Sequence, residues 1–112
     1  MITRSELAEV VDSYSPSEVR IGCIGSHSAL DICDGAKDEG FETVVVCQKG
    51  REKPYVKYYC RIIDHVILLD RFADVVREDV QKRLRELNVV FVPNRSFSTY
   101  VGYENIEERF LI

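Results

Sequence analysis

The sequence predicts an α/β fold: an open, mainly parallel, Rossmann-like sheet with helices on both faces. Three observations carry that expectation. Apolar, β-branched runs lie at 19–24, 42–47, 65–70 and 88–93, and continuous runs of this kind belong to strands buried on both faces. Stretches with apolar residues at helical spacing separate most of them. With 112 residues, 46% of them apolar, the chain supplies one core and not two. The expected order is α-β-α-β-β-α-β-α in a single domain over residues 1–112, and right-handed crossovers then restrict the topology.

Thr3 to Tyr14 opens the chain with Leu7, Val10, Val11 and Tyr14 at i, i+3, i+4 and i+7, one face of a helix. Thr3 followed by Glu6 reads as a capping box, and Ser15-Pro16-Ser17 ends the pattern. Val19 to Ile24 is the first strand. Ala29 to Glu39 is a helix with Leu30, Ile32, Cys33 and Ala36 inward, closed by Gly40 as the residue after its C-cap. Glu42 to Cys47 is the second strand, and Gln48 to Pro54 a polar, basic loop. Tyr55 to Ile63 alternates Tyr55, Lys57 and Tyr59 with Val56, Tyr58 and Cys60, which fits an extended edge segment. His65 to Asp70 is the third strand, with His65 a structural residue at its start. Asp74 to Leu87 is one long helix with Val75, Val76, Val80, Leu84 and Leu87 on one side, and Asn88 to Pro93 is the fourth strand. Asn94 to Gly102 reads as a loop and Tyr103 to Phe110 as a last short helix.

Charge and length exclude several classes of function. Fifteen Lys+Arg against 19 Asp+Glu leave a net charge of −4. That argues against a nucleic-acid partner or a membrane surface held by bulk positive charge. No apolar run approaches the roughly 20 residues that span a bilayer. The N-terminal residues lack the apolar core of a signal peptide, so the expected location is the cytoplasm. Cysteines stand at 23, 33, 47 and 60 without the C-x-x-C spacing of a zinc site. They are expected to be structural thiols, with no metal held by this domain. The final run Glu108 to Ile112 ends on three apolar residues, and the expectation is a domain belonging to a longer chain.

An open parallel sheet binds its ligands beyond the carboxyl ends of the strands. The loops that point there are 25–28, 48–54, 70–72 and 94–102. Gly25-Ser26-His27-Ser28 joins a strand to a helix with small polar residues, an arrangement that suits a phosphate. Equally, Ser26 and Ser28 serve there as plain helix caps. The run is neither G-x-G-x-x-G nor a P-loop, so dinucleotide or P-loop binding has no support. His27 at the turn tip donates or accepts near neutral pH. Lys49 and Arg51 offer a clamp for an anion. Asn94, Arg95 and Ser96 add amide, guanidinium and hydroxyl groups suited to a planar heterocycle bearing a phosphate. No Ser or Cys is marked as a nucleophile, and the catalytic residues are left unassigned.

Taken together, several blocks carry a family resemblance. They are Gly25-Ser26-His27-Ser28-Ala29-Leu30, Gly35 to Phe41, Lys49-Gly50-Arg51 with Pro54-Tyr55, and Val92-Pro93 with Ser96-Phe97, Tyr100 and Gly102. Over essentially its whole length the chain resembles the N-terminal domain of archaeal formate-dependent 5-formaminoimidazole-4-carboxamide ribonucleotide synthetases. The resemblance implies a pre-ATP-grasp type domain from a ligase that formylates an aminoimidazole ribonucleotide, using ATP and formate, in IMP biosynthesis. It implies that His27 and Ser96 contact the ribonucleotide, with Ser26, Ser28, Lys49, Arg51, Asn94 and Arg95 as further candidates. It places ATP and Mg²⁺ in an ATP-grasp region absent from this chain, names that region as a partner, and allows a homo-oligomer. In the family block Pro-His-Gly-Ser-Phe, this chain has Asn94 and Arg95 where the His and Gly stand. The alternatives are a paralogue with another substrate and a non-catalytic module that binds a phosphorylated ligand.

Overall fold

Strands β1 (Arg20–Ile24), β2 (Glu42–Gln48), β3 (His65–Leu69) and β4 (Val89–Phe91) form one sheet in the order β3-β2-β1-β4 in the computed structural model. All neighbouring strands are parallel, with Ile24 opposite Val46, Val46 opposite Ile67 and Gly22 opposite Phe91. The structure describes residues 2–26, 28–59 and 61–112, and the side chains of Tyr58 and Ser96 fall outside that description. The helices are α1 (Arg4–Ser13), α2 (Ala29–Asp38), α3 (Glu78–Glu86), α4 (Arg95–Val101) and α5 (Tyr103–Arg109).

The period-2 alternation of a strand divides the core into two halves. Ile24, Val44, Val46, Leu69 and Val89 face one way, packing on Phe72, Val75, Val80, Leu84, Phe97 and Val101 from α3, α4 and the segment before α3. Cys23, Val45 and Cys47 face the other way, against Ala29, Cys33, Tyr55 and Ile63. Helices therefore cover both faces, as the continuous apolar runs require. α2 ends in a Schellman motif: Phe41 N–H donates to the Ala36 carbonyl and Gly40 N–H to that of Lys37. Gly40 takes φ +86°, the left-handed conformation that favours glycine.

The structure differs from the sequence expectation at four places. Asp74 to Leu87 is not one helix. A 3₁₀ segment, Phe72–Val76, is separated from α3 by Arg77, whose backbone is extended. Burying Phe72 and Val75 sets the tighter turn, and the Gln81 side chain donates to the freed Val76 carbonyl at 2.7 Å. The second difference is at Tyr55 to Ile63, which adds no extended edge. Pro54–Tyr58 is a π-helical turn, while β3 itself pairs with β2. Among the described residues of that alternating pattern, Tyr55 alone is drawn into the core, and Val56 and Tyr59 stay exposed. The third is α4, which replaces the expected loop. Asn94 caps it, Phe97 and Val101 bury at i, i+4, and Gly102 closes it at φ +89°. The fourth is α1, which keeps the expected capping box but buries only Val10; Leu7 is 43% and Val11 68% exposed.

Asp64, just before β3, fastens the sheet at its amino edge. Its carboxylate accepts from Thr43 N–H at 2.8 Å and from Lys37 Nζ at 2.9 Å. Burial pushes the carboxyl up, but Lys37 and the Thr43 amide outweigh it and hold Asp64 below its usual 3.8. Because the folded-state value is depressed, the contribution is complete above the unfolded value and is lost as pH falls through the folded one. We therefore expect Asp64→Asn to lower the urea midpoint at pH 7 and to flatten its decline between about pH 5 and pH 2. An acid limb identical to that of the wild type would count against this role.

Candidate functional site

Where β1 ends, the chain has no room for a side chain. A Cβ on Gly25 would lie 2.8 Å from Val45 Cγ1, 3.0 Å from Cys47 Sγ and 3.2 Å from Tyr55 Cε2. Glycine lets the backbone pass between these groups, with Gly25 N–H donating to the Val46 carbonyl at 2.7 Å. The turn beyond is braced from two sides. The Tyr55 hydroxyl donates to the Ser26 carbonyl at 3.3 Å, and Asn94 Nδ2 donates to the Ile24 carbonyl at 3.2 Å. The same Asn94 side chain accepts Phe97 N–H at 3.0 Å through Oδ1, which caps α4. Ser28, at the N-cap position of α2, makes no side-chain cap and sits at φ +73°. A left-handed conformation at a non-glycine residue costs on the order of 1 kcal/mol. The plain capping role expected of Ser28 is thus not the one it plays.

The next loop round the carboxyl edge is tied to the same helix. Arg51 Nη1 donates to the Tyr100 hydroxyl at 3.0 Å, its guanidinium carbon lies 5.5 Å from the Tyr100 ring centre, and that ring packs on Phe72 at 5.0 Å. Lys49 instead pairs with Asp70 across the ends of β2 and β3 at 3.0 Å, with both side chains exposed. Gln48 Oε1 accepts Phe72 N–H at 3.2 Å and joins those two strand ends beneath the pair.

The carboxyl edge therefore gathers Ser26, Asn94 and Arg95 around the end of β1, carries Arg51 on α4 through Tyr100, and holds Lys49 on the β3 side. His27 lies outside the described residues. Ser96 is the second residue of α4, so its backbone stands at this edge while its side chain lies outside the description. Sequence reasoning assigned no role to Tyr55, whose contact with Ser26 depends on the π-helical turn that its spacing did not announce. Tyr100 entered only through the family resemblance.

Three cysteines, Cys23, Cys33 and Cys47, are free and buried, and Cys60 lies outside the described residues. Contact with Cys33 and burial push the Cys23 thiol far up, and burial pushes Cys47 up to about 12. Thiols so placed pack as small apolar groups. Burial likewise pushes the Tyr55 hydroxyl up to about 12, so it stays a neutral donor to Ser26. Among the described residues no group of three His, Cys, Asp or Glu is placed to hold a metal ion, and no helix is long and apolar enough to cross a membrane.

Residues 21–112 match a family model described as a protein of unknown function, DUF1246. The chain is similar to proteins named 5-formaminoimidazole-4-carboxamide-1-(beta)-D-ribofuranosyl 5'-monophosphate synthetase. It shares 42% identity with that of Methanothermobacter thermautotrophicus over 99% of this chain and 30% of the relative. With that of Methanopyrus kandleri it shares 44% identity over 100% of this chain and 31% of the relative. The chain thus spans about a third of the length of these curated relatives. Among solved structures it resembles an IMP biosynthesis protein PurP from Thermococcus kodakaraensis. There the TM-score is 0.62 at 30% identity, over 80% of this chain and 27% of that one.

The packing at Gly25 yields a direct expectation. Gly25→Ala forces Val45 aside and crowds Cys47 and Tyr55, and it should destabilise the chain by roughly 1–3 kcal/mol, as overpacking in a filled core does. Thermal unfolding followed by circular dichroism measures this, and an unchanged midpoint would contradict the close approach.

Proposed function

The chain belongs to the DUF1246 family, and from that membership we propose that it is the ribonucleotide-binding domain of a synthetase that formylates 5-aminoimidazole-4-carboxamide ribonucleotide in purine biosynthesis. The observation that carries the reading is 42% identity across 99% of the chain to a synthetase named for the formylated ribonucleotide. The carboxyl edge supports it physically. A ribose 5-phosphate and a planar carboxamide need several donors of different shape within one crevice. Ser26, Asn94, Arg95, Arg51 and Lys49 ring that edge, Ser96 belongs to the first turn of α4, and the family resemblance adds His27 as a candidate contact. The net charge of −4 leaves no bulk field for an anion, so attraction has to come from these local donors.

We assign ATP, Mg²⁺ and formate activation to the further two-thirds of length that the relatives carry, an ATP-grasp region. That region is also the natural cover for the exposed Leu7 and Val11 side chains of α1. A second reading, a family member with an altered substrate, draws on Asn94 and Arg95 standing where the resembling block has His and Gly.

The 112-residue chain tests both. It should bind 5-aminoimidazole-4-carboxamide ribonucleotide in a calorimetric titration and release no ADP from ATP in the presence of formate. His27→Ala and Ser96→Ala should each weaken binding by one to two decades, the effect of losing about 1–3 kcal/mol of polar contact. Variants that bind like the wild type would remove these two residues from the site. A wild-type chain that ignores this ribonucleotide but binds another phosphorylated heterocycle would establish the second reading.

A further inference from the structure

Ile24 is the last residue of the central strand β1, and its carbonyl accepts two hydrogen bonds. One comes from Ser26 N–H at 2.9 Å within the following turn, the other from Asn94 Nδ2 at 3.2 Å. Both ends of the second bond are rigid. Ile24 is fully buried in the sheet, and Asn94 is locked to α4 because its Oδ1 accepts Phe97 N–H while Phe97 sits in the core. The two atoms of one amide thus serve different segments, Oδ1 the helix and Nδ2 the strand. Ile24 lies two residues before Ser26, and Asn94 two residues before Ser96.

We infer that Asn94 is a positioning residue: its amide fixes the separation of the β1–α2 turn and the first turn of α4, the two segments on which the proposed ribonucleotide site is built. The inference rests on that proposed site, and it gives Asn94 a part in binding that needs no contact with the ligand. An amide is what the place calls for. A carboxylate supplies the cap but no donor to Ile24, and a hydroxyl supplies the cap but is too short to span to β1. Preorganisation of this kind appears in affinity because a ligand that must bridge two segments loses less when their spacing is already set.

Asn94→Ser and Asn94→Ala separate the two roles in the 112-residue chain. Serine keeps the helix cap and loses the strut; alanine loses both. We expect Asn94→Ser to unfold cooperatively near the wild-type midpoint, and Asn94→Ala to unfold lower. Both should move the Gly25 and Ser26 amide resonances in ¹⁵N–¹H spectra. Both should weaken 5-aminoimidazole-4-carboxamide ribonucleotide binding to a similar extent, roughly tenfold, as loss of one aligned hydrogen bond does. If the Gly25 and Ser26 resonances stay in place in Asn94→Ser, the strut does not exist and the inference fails whatever the ligand does. If they move and Asn94→Ser still binds like the wild type, the spacing has no part in binding and the inference fails there. Should they move while the wild-type chain binds no ribonucleotide, Asn94 still sets the turn, and it is the substrate reading that falls.

Discussion

Everything at the carboxyl edge depends on how the chain leaves β1. The strand is central, parallel to both neighbours, and its last carbonyl would be buried and half-satisfied if the turn alone bonded to it. Asn94 supplies the second bond from α4, and in doing so makes the end of the fourth strand answer to the end of the first. On the opposite side Tyr55 reaches the Ser26 carbonyl, and its ring fills the space that a side chain at residue 25 would need. Two segments remote in sequence therefore converge on one glycine-serine turn. A framework of this kind suits binding, because loop donors hold their geometry only when packed elements position them.

The same junction explains the division of labour among the polar residues. Lys49 pairs with Asp70 and Arg51 with Tyr100, so each cation already has a partner that sets its direction. Exposed pairs such as Lys49–Asp70 contribute little to stability, on the order of 0–1 kcal/mol, and an anionic ligand can compete for the ammonium. Arg51 is held differently. Stacking and a hydroxyl bond engage only part of a guanidinium that carries five N–H donors, which leaves others for a phosphate or carboxamide.

Much of this was legible in the sequence, and what was not has particular causes. The strands at 20–24, 42–48, 65–69 and 89–91 announced themselves because parallel strands buried on both faces are continuously apolar. The Thr3–Glu6 capping box and the Gly40 helix stop were readable for the same reason: each is a local device whose residues carry the geometry. The helix at 95–101 was hidden because Arg95-Ser96-Phe97-Ser98-Thr99 is poor in strong helix formers; its real signals are the Asn94 cap, the Phe97–Val101 spacing and Gly102. The break at Arg77 was invisible because Val75, Val76 and Val80 fit one helical stripe equally well with or without a 3₁₀ start. Tyr55 and Asn94 could be named as residues but not as braces, since each acts on a carbonyl that only the tertiary fold brings near.

The central claim is that the ends of β1 and β4, joined through Asn94, form the ribonucleotide site. Titrating ¹⁵N-labelled chain with 5-aminoimidazole-4-carboxamide ribonucleotide and following the backbone amides tests it most directly. The account predicts saturable shifts concentrated at Gly25, Ser26, Arg95 and Phe97, with Arg51 and Tyr100 following and α1 and α5 unmoved. Shifts confined to the exposed face of α1, or to the β3 edge around Arg77 and Arg83, would contradict it.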